Sequence, residues 1–254
     1  MSLEDMRNPK VRNDHVGVCA VEDPEGSLYN SARHCKWVFN GSGGVGKTSL
    51  LYRLLFDIFP EEYVPSVLDN YVLPVRSADT LLGVGFWDIQ GGRDGTGDYD
   101  RRMRPLSYPG TSVMFLIVDC SRRESLVDVE EKWLPQTLEH VPKALRVLLV
   151  TKIDLRDDET VAAQLAKRGE TLIAKDEATD WAQKHGCALV LEVSAKRGDN
   201  VTTFLQSIVE LELAEEKRAS APSSSSIGRF FRRLFSKKAE GGGVAVDPNP
   251  AFSL

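Results

Sequence analysis

The chain has 254 residues, of which 42% are hydrophobic and 27% charged, with a formal net charge of −5. That composition suits a soluble globular protein with one good core, or at most two small domains, and no nucleic-acid partner is expected. No segment approaches the roughly 18 apolar residues of a spanning helix, so membrane contact would be peripheral. Cys19, Cys35, Cys120 and Cys187 show neither metal-ligand spacing nor a small disulfide framework, which favours a reducing, cytoplasmic compartment.

Residues 1–33 are polar and without period, and read as a flexible extension. The start is acidic rather than basic, unlike a secretory signal, and Ser2 argues against myristoylation. From residue 34 short apolar runs alternate with longer helical patterns. "CKWVF", "YVLPV", "LLGVGFWD", "SVMFLIVD", "LRVLLVT" and "ALVLEV" are the expected strands, with helices over 47–56, 123–139, 176–185 and 201–216. This alternation predicts an α/β fold with a six-stranded, mostly parallel sheet and helices on both faces. The turn inside "YVLPVRSADTLLGVGFWD" is too brief for a helical crossover, so that pair forms an antiparallel hairpin. The charged segment 155–180 reads as a surface excursion of partly helical period. The composition shifts at "ASAPSSSS", which bounds a domain at 34–215 and leaves 216–254 as a flexible tail.

"GSGGVGKTS" follows the strand "CKWVF" and opens a helix, and it fits the phosphate-binding pattern G-x-x-x-x-G-K-[ST] of a P-loop NTPase. Small residues let successive backbone amides of Gly41, Ser42, Gly43, Gly44, Val45 and Gly46 face phosphate oxygens. Lys47 adds a point charge, Thr48 a hydroxyl for Mg²⁺, and Thr48 and Ser49 begin a helix whose dipole favours an anion. The alternative is a glycine-rich turn. In "VLLVTKIDLRDD", Thr151, Lys152 and Asp154 follow an apolar strand, where the sheet opens into its ligand crevice. A carboxylate there can accept from N1–H and the 2-amine of guanine, which adenine cannot match.

With "FPEEYVPSVLDNY", "WDIQGG", "DYDRRMRPLSYP" and "EVSAK" added, residues 35–213 resemble the Rho/Rac branch of the Ras-like small GTPases. The resemblance implies a Ras-like G domain that binds GTP and GDP with Mg²⁺. Phe59 would pack against guanine, Tyr63 would close over the phosphates, and Ser66 and Asp88 would join Thr48 at the metal. Gly91 would give its N–H to the γ-phosphate. Lys152 would lie along the base, with Ala195 of the Ser194–Ala195–Lys196 motif donating to it. Segments 61–71 and 88–109 would be the switches that engage effectors, exchange factors and activating proteins on a monomeric switch. By family analogy the effectors would act on actin organisation or polarity. The charged segment after Leu155 would be the Rho insert helix. Trp87 would touch exchange factors, although a core or cross-strand tryptophan explains it nearly as well.

Two departures matter. The position that supplies the water-orienting glutamine in the family is Gly92, and Gln90 precedes Gly91 where it should not reach the water. Of the positions on which hydrolysis would depend, Gly91 and Lys47 are present and Gly92 is changed. Slow hydrolysis is expected, unless Arg93 or Asp94 of the lengthened loop restores it. The second departure is that the chain ends "AFSL", with Ala251 where the family has its prenylated cysteine. Instead residues 227–238, "IGRFFRRLFSKK", carry five basic groups; subtracting them from the net −5 leaves −10 for the rest. Ile227, Phe230, Phe231, Leu234 and Phe235 share one helical face, a pattern suited to anionic membrane. A solvated tail, a nuclear import signal or a calmodulin-type target are the alternatives.

Overall fold

The computed structural model describes residues 18–20, 33–61, 70–77, 80–89, 104–220 and 243–245. The six expected strands are β2 (Arg33–Asn40), β3 (Asn70–Ser77), β4 (Thr80–Asp88), β5 (Val113–Asp119), β6 (Leu145–Thr151) and β7 (Leu189–Glu192). Their order across the sheet is β3-β4-β2-β5-β6-β7, and only the β3–β4 hairpin among them is antiparallel. All seven residues of β5 are buried, as expected for an inner parallel strand covered on both faces.

Successive side chains of β2 part to opposite faces. Trp37 and Phe39 enter a cluster with Leu50 and Leu54 of α1 (Lys47–Phe56) and with Phe204 and Ile208 of α5 (Val201–Ser220). Val38 enters the other cluster, with Trp133, Leu134 and Trp181. Trp133 and Leu134 belong to α2, which runs through Glu124–Asp128, a π-helical turn at Val129–Trp133 and Leu134–His140. Trp181 lies on α4 (Lys175–Lys184). The two apolar layers hold the sheet rigid between them, and its carboxyl end becomes a fixed platform.

α3 (Glu159–Lys167) is the helix implied for the charged segment. The Asp158 carboxylate starts it by accepting from the amides of Thr160 and Val161, satisfying two donors that a helix start leaves open. Two further three-residue strands were not anticipated. β1 (Val18–Ala20) pairs antiparallel with β3, and β8 (Gly243–Ala245) with β7, so pieces of the polar extension and of the tail lie on the outer edges of the sheet. Edge strands present unpaired backbone groups, which such short segments can satisfy. α5 also continues to Ser220, beyond the boundary drawn from composition. Among the described residues no helix is long and apolar enough to cross a membrane.

Candidate functional site: a phosphate cradle and a base loop on one sheet end

β2 ends at Asn40 and the cradle begins. Gly41 must be glycine, because a Cβ there would lie 2.5 Å from the carbonyl oxygen of Ile117 on β5. Gly46, at φ 94°, makes the left-handed turn into α1. Between them every carbonyl has a partner. The Lys47 ammonium donates to the carbonyls of Gly41 (2.8 Å) and Ser42 (3.0 Å). Arg122 Nη2 donates to Gly43 (2.9 Å) and Lys152 Nζ to Gly44 (2.7 Å). The Thr151 hydroxyl lies 2.5 Å from the Val45 carbonyl, and the Leu50 amide donates to Gly46. The amides of Gly43 to Gly46, by contrast, have no acceptor among the described residues. Satisfied carbonyls and unused amides on one loop make a nest for an anion.

Lys47 is buried at 4% exposure. Burial chiefly, helped by the charges of Arg122 and Arg104 and opposed by the pull of Asp88, lowers its pKa to about 8. One residue on, the Thr48 hydroxyl donates to Oδ2 of Asp88 at 2.5 Å. This hydroxyl and buried carboxylate form a compact pair of hard oxygen donors, which fits Mg²⁺.

The loop expected to read the base follows β6. Lys152 adopts φ 58°, and its ammonium bridges the Gly44 carbonyl and Oδ2 of Asp119, the latter at 2.7 Å. The Ser194 hydroxyl donates to Oδ1 of Asp154 at 2.6 Å. Arg53 of α1 donates to the carbonyls of Ala195 and Lys196, tying the helix of the cradle to the second base loop. Phe59 is half-buried beyond α1. Trp87 is half-buried, with the Lys36 ammonium 3.6 Å above its ring.

The structure therefore brings together Gly41 to Ser49, Asp88, Thr151, Lys152, Asp154 and Ser194 to Lys196 at one end of the sheet. Tyr63, Ser66, Gln90, Gly91, Gly92, Arg93, Asp94 and the basic segment 227–238 lie outside the described residues. Sequence reasoning missed Asp119 and Arg122 of "DCSR", Arg53, and the contacts on Ser42. The Ser42 hydroxyl donates to Asp128 (2.6 Å) and accepts from the Trp133 indole (3.3 Å). A signal existed for one of these groups: "DCSR" directly follows a wholly apolar strand, at the same sheet end as the cradle.

A glycine-rich loop, a hydroxyl–carboxylate pair and two further loops thus meet at one end of a six-stranded core, as the resemblance to the Ras family implies. A sequence model of that family matches residues 36–213, and the chain belongs to it. Its relatives place it among the Rho-type small GTPases. It is 37% identical over 190 residues to the GTP-binding protein rho5 of Schizosaccharomyces pombe, covering 74% of this chain and 92% of that protein. It is 36% identical over 192 residues to the GTP-binding protein rho1 of the same organism, covering 75% and 92%.

Proposed function

We propose that this protein is a GTP- and GDP-binding signalling switch whose Rho-like domain spans residues 34–215. The observation that carries the reading is the cradle in which all carbonyls from Gly41 to Gly46 are occupied while the amides of Gly43 to Gly46 are not. Such a loop has its donors ready for phosphate. Lys47 would neutralise phosphate charge, Asp154 would read guanine with Ser194 holding its carboxylate, and Ala195 would donate to the base. Thr48 and Asp88, with Ser66 from the first switch, would hold Mg²⁺. A metal held there would supply positive charge against that of the phosphates.

Hydrolysis is slow in this reading, because Gly92 has no side chain with which to orient water. Activating proteins supply about 10⁵-fold in Ras, roughly 7 kcal/mol of barrier, and much of that depends on a positioned water. The finer expectations follow the family: effectors and exchange factors at segments 61–71 and 88–109, a monomer in the cytoplasm, and outputs in actin organisation or polarity. The segment 227–238 would hold the protein on anionic membrane.

Single-turnover hydrolysis of labelled GTP by the wild type and by Gly92→Gln tests the catalytic part. The substituted protein should be faster, and equal rates would end the slow-hydrolysis reading. The second reading, a scaffold that stays loaded with GTP, is favoured by the same Gly92. GTP recovered with the purified protein supports the scaffold, and GDP supports the cycling enzyme.

A further inference from the structure

We infer that Arg122 is a positioning residue for the nucleotide: its bond to the Gly43 carbonyl locks the one peptide of the cradle that is free to flip. The inference rests on the reading of the cradle as a guanine-nucleotide site. In a trans peptide the carbonyl of one residue and the amide of the next point in opposite directions. Fixing the Gly43 carbonyl outward therefore fixes the Gly44 amide inward, and the other carbonyl partners act in the same way on their own peptides. The Gly43–Gly44 unit differs from the rest because glycine flanks it on both sides. With no Cβ on either residue, rotating that peptide meets the least resistance, and a rotated peptide would put a carbonyl dipole where phosphate belongs.

The brace is itself firmly mounted. β5 ends at Asp119, whose Oδ1 accepts from the amide (2.9 Å) and hydroxyl (2.7 Å) of Ser121. The Arg122 amide donates to the Asp119 carbonyl at 3.0 Å, and its own carbonyl accepts from the Ser125 hydroxyl at 2.6 Å. The guanidinium that results spans the turn: Nη2 is 2.9 Å from the Gly43 oxygen, and Nη1 is 3.9 Å from where a Cβ on Gly44 would stand. Asp119 holds Lys152 through its other oxygen, so one four-residue turn governs two adjacent cradle carbonyls, Gly43 directly and Gly44 through Lys152. A charge is also at work. The positive charge of Arg122 disfavours the protonated form of the buried Lys47, a repulsion that an anion in the cradle would relieve.

The test is the release of a fluorescent GDP from the full-length, magnesium-loaded protein, chased with unlabelled GDP, for the wild type, Arg122→Met and Arg122→Lys. Methionine keeps the apolar stem without a donor, and lysine keeps a charged donor. Arg122→Met should release GDP about tenfold faster, the loss expected for a hydrogen bond from a charged group, while Arg122→Lys stays within about threefold of wild type. A packing role would leave methionine harmless. Release from Arg122→Met at the wild-type rate, or equal acceleration by methionine and lysine, overturns the inference. If Arg122→Met does not fold, Arg122→Leu, which likewise has no donor, takes its place with the same expectation. A wild-type protein that takes up no GDP overturns the reading of the site along with the inference, whereas tight uptake with indifferent variants overturns the inference alone.

Discussion

The Ser194 hydroxyl donates to Oδ1 of Asp154 across 40 residues of chain, at 2.6 Å. The bond holds the carboxylate in place, so in the proposed site it would already be ordered when guanine arrived. Ser194→Ala should leave the fold intact and weaken GDP about tenfold, the share of one hydrogen bond to a charged acceptor. Calorimetric titration of nucleotide-stripped protein measures it. An unchanged affinity would mean that Asp154 is held by something else.

Lys47 predicts a proton linkage. Its folded pKa of about 8 lies below the ordinary lysine value of 10.5, so between those pH values the unfolded chain holds the proton and the empty folded cradle does not. This group's contribution to the stability of the empty protein therefore rises with pH across that window. A phosphate bound in the proposed site would return the proton to Lys47. GDP binding should take up about three-quarters of a proton at pH 8.5 and about a tenth at pH 7. Binding enthalpies in buffers of different ionisation heat give the number, and no uptake at pH 8.5 contradicts the burial argument.

Gly41→Ala drives a methyl to 2.5 Å from a backbone oxygen on a neighbouring buried strand. Neither side can move without disturbing the β2–β5 pairing, so the variant should lose about 1–3 kcal/mol, the usual penalty of overpacking. Urea unfolding of the stripped protein reads that loss. A wild-type midpoint would show that the loop yields at no expense.

Outside the candidate site, the Trp37 indole donates to Oε1 of Glu212 at 2.9 Å, and the Ser112 hydroxyl donates to the same oxygen. Glu212 is 2% exposed. Trp37→Phe removes one of these donors and should cost about 1–3 kcal/mol, with GDP affinity unchanged in the folded fraction. Restoration by a second change, Glu212→Gln, would show that the penalty came from the buried charge.

Much of this was legible in the chain. The helix over 47–56 and the strand over 145–151 have the bounds that periodicity implies, since each is a continuous apolar pattern with clear punctuation. Gly41, Lys47 and Thr48 were legible because phosphate chemistry restricts residue types at fixed spacing. Arg122 was not, because a cation that braces a backbone oxygen can come from any loop the topology brings near, and here it comes from 79 residues away. Arg53 was hidden in the same way: an arginine on an amphipathic helix reads as a solvated charge until its partners are known. The edge strands Val18–Ala20 and Gly243–Ala245 were missed because three residues are too few to display a period.

Arg53 leaves the cradle's own helix and grips the backbone of the Ala195–Lys196 loop. In the proposed nucleotide site, the phosphate side and the base side are thereby tied to one another through Arg53, and loosening one would pull on the other. Release from such a site would be concerted rather than a stepwise peeling, and a catalyst of exchange would need to pry at one side alone.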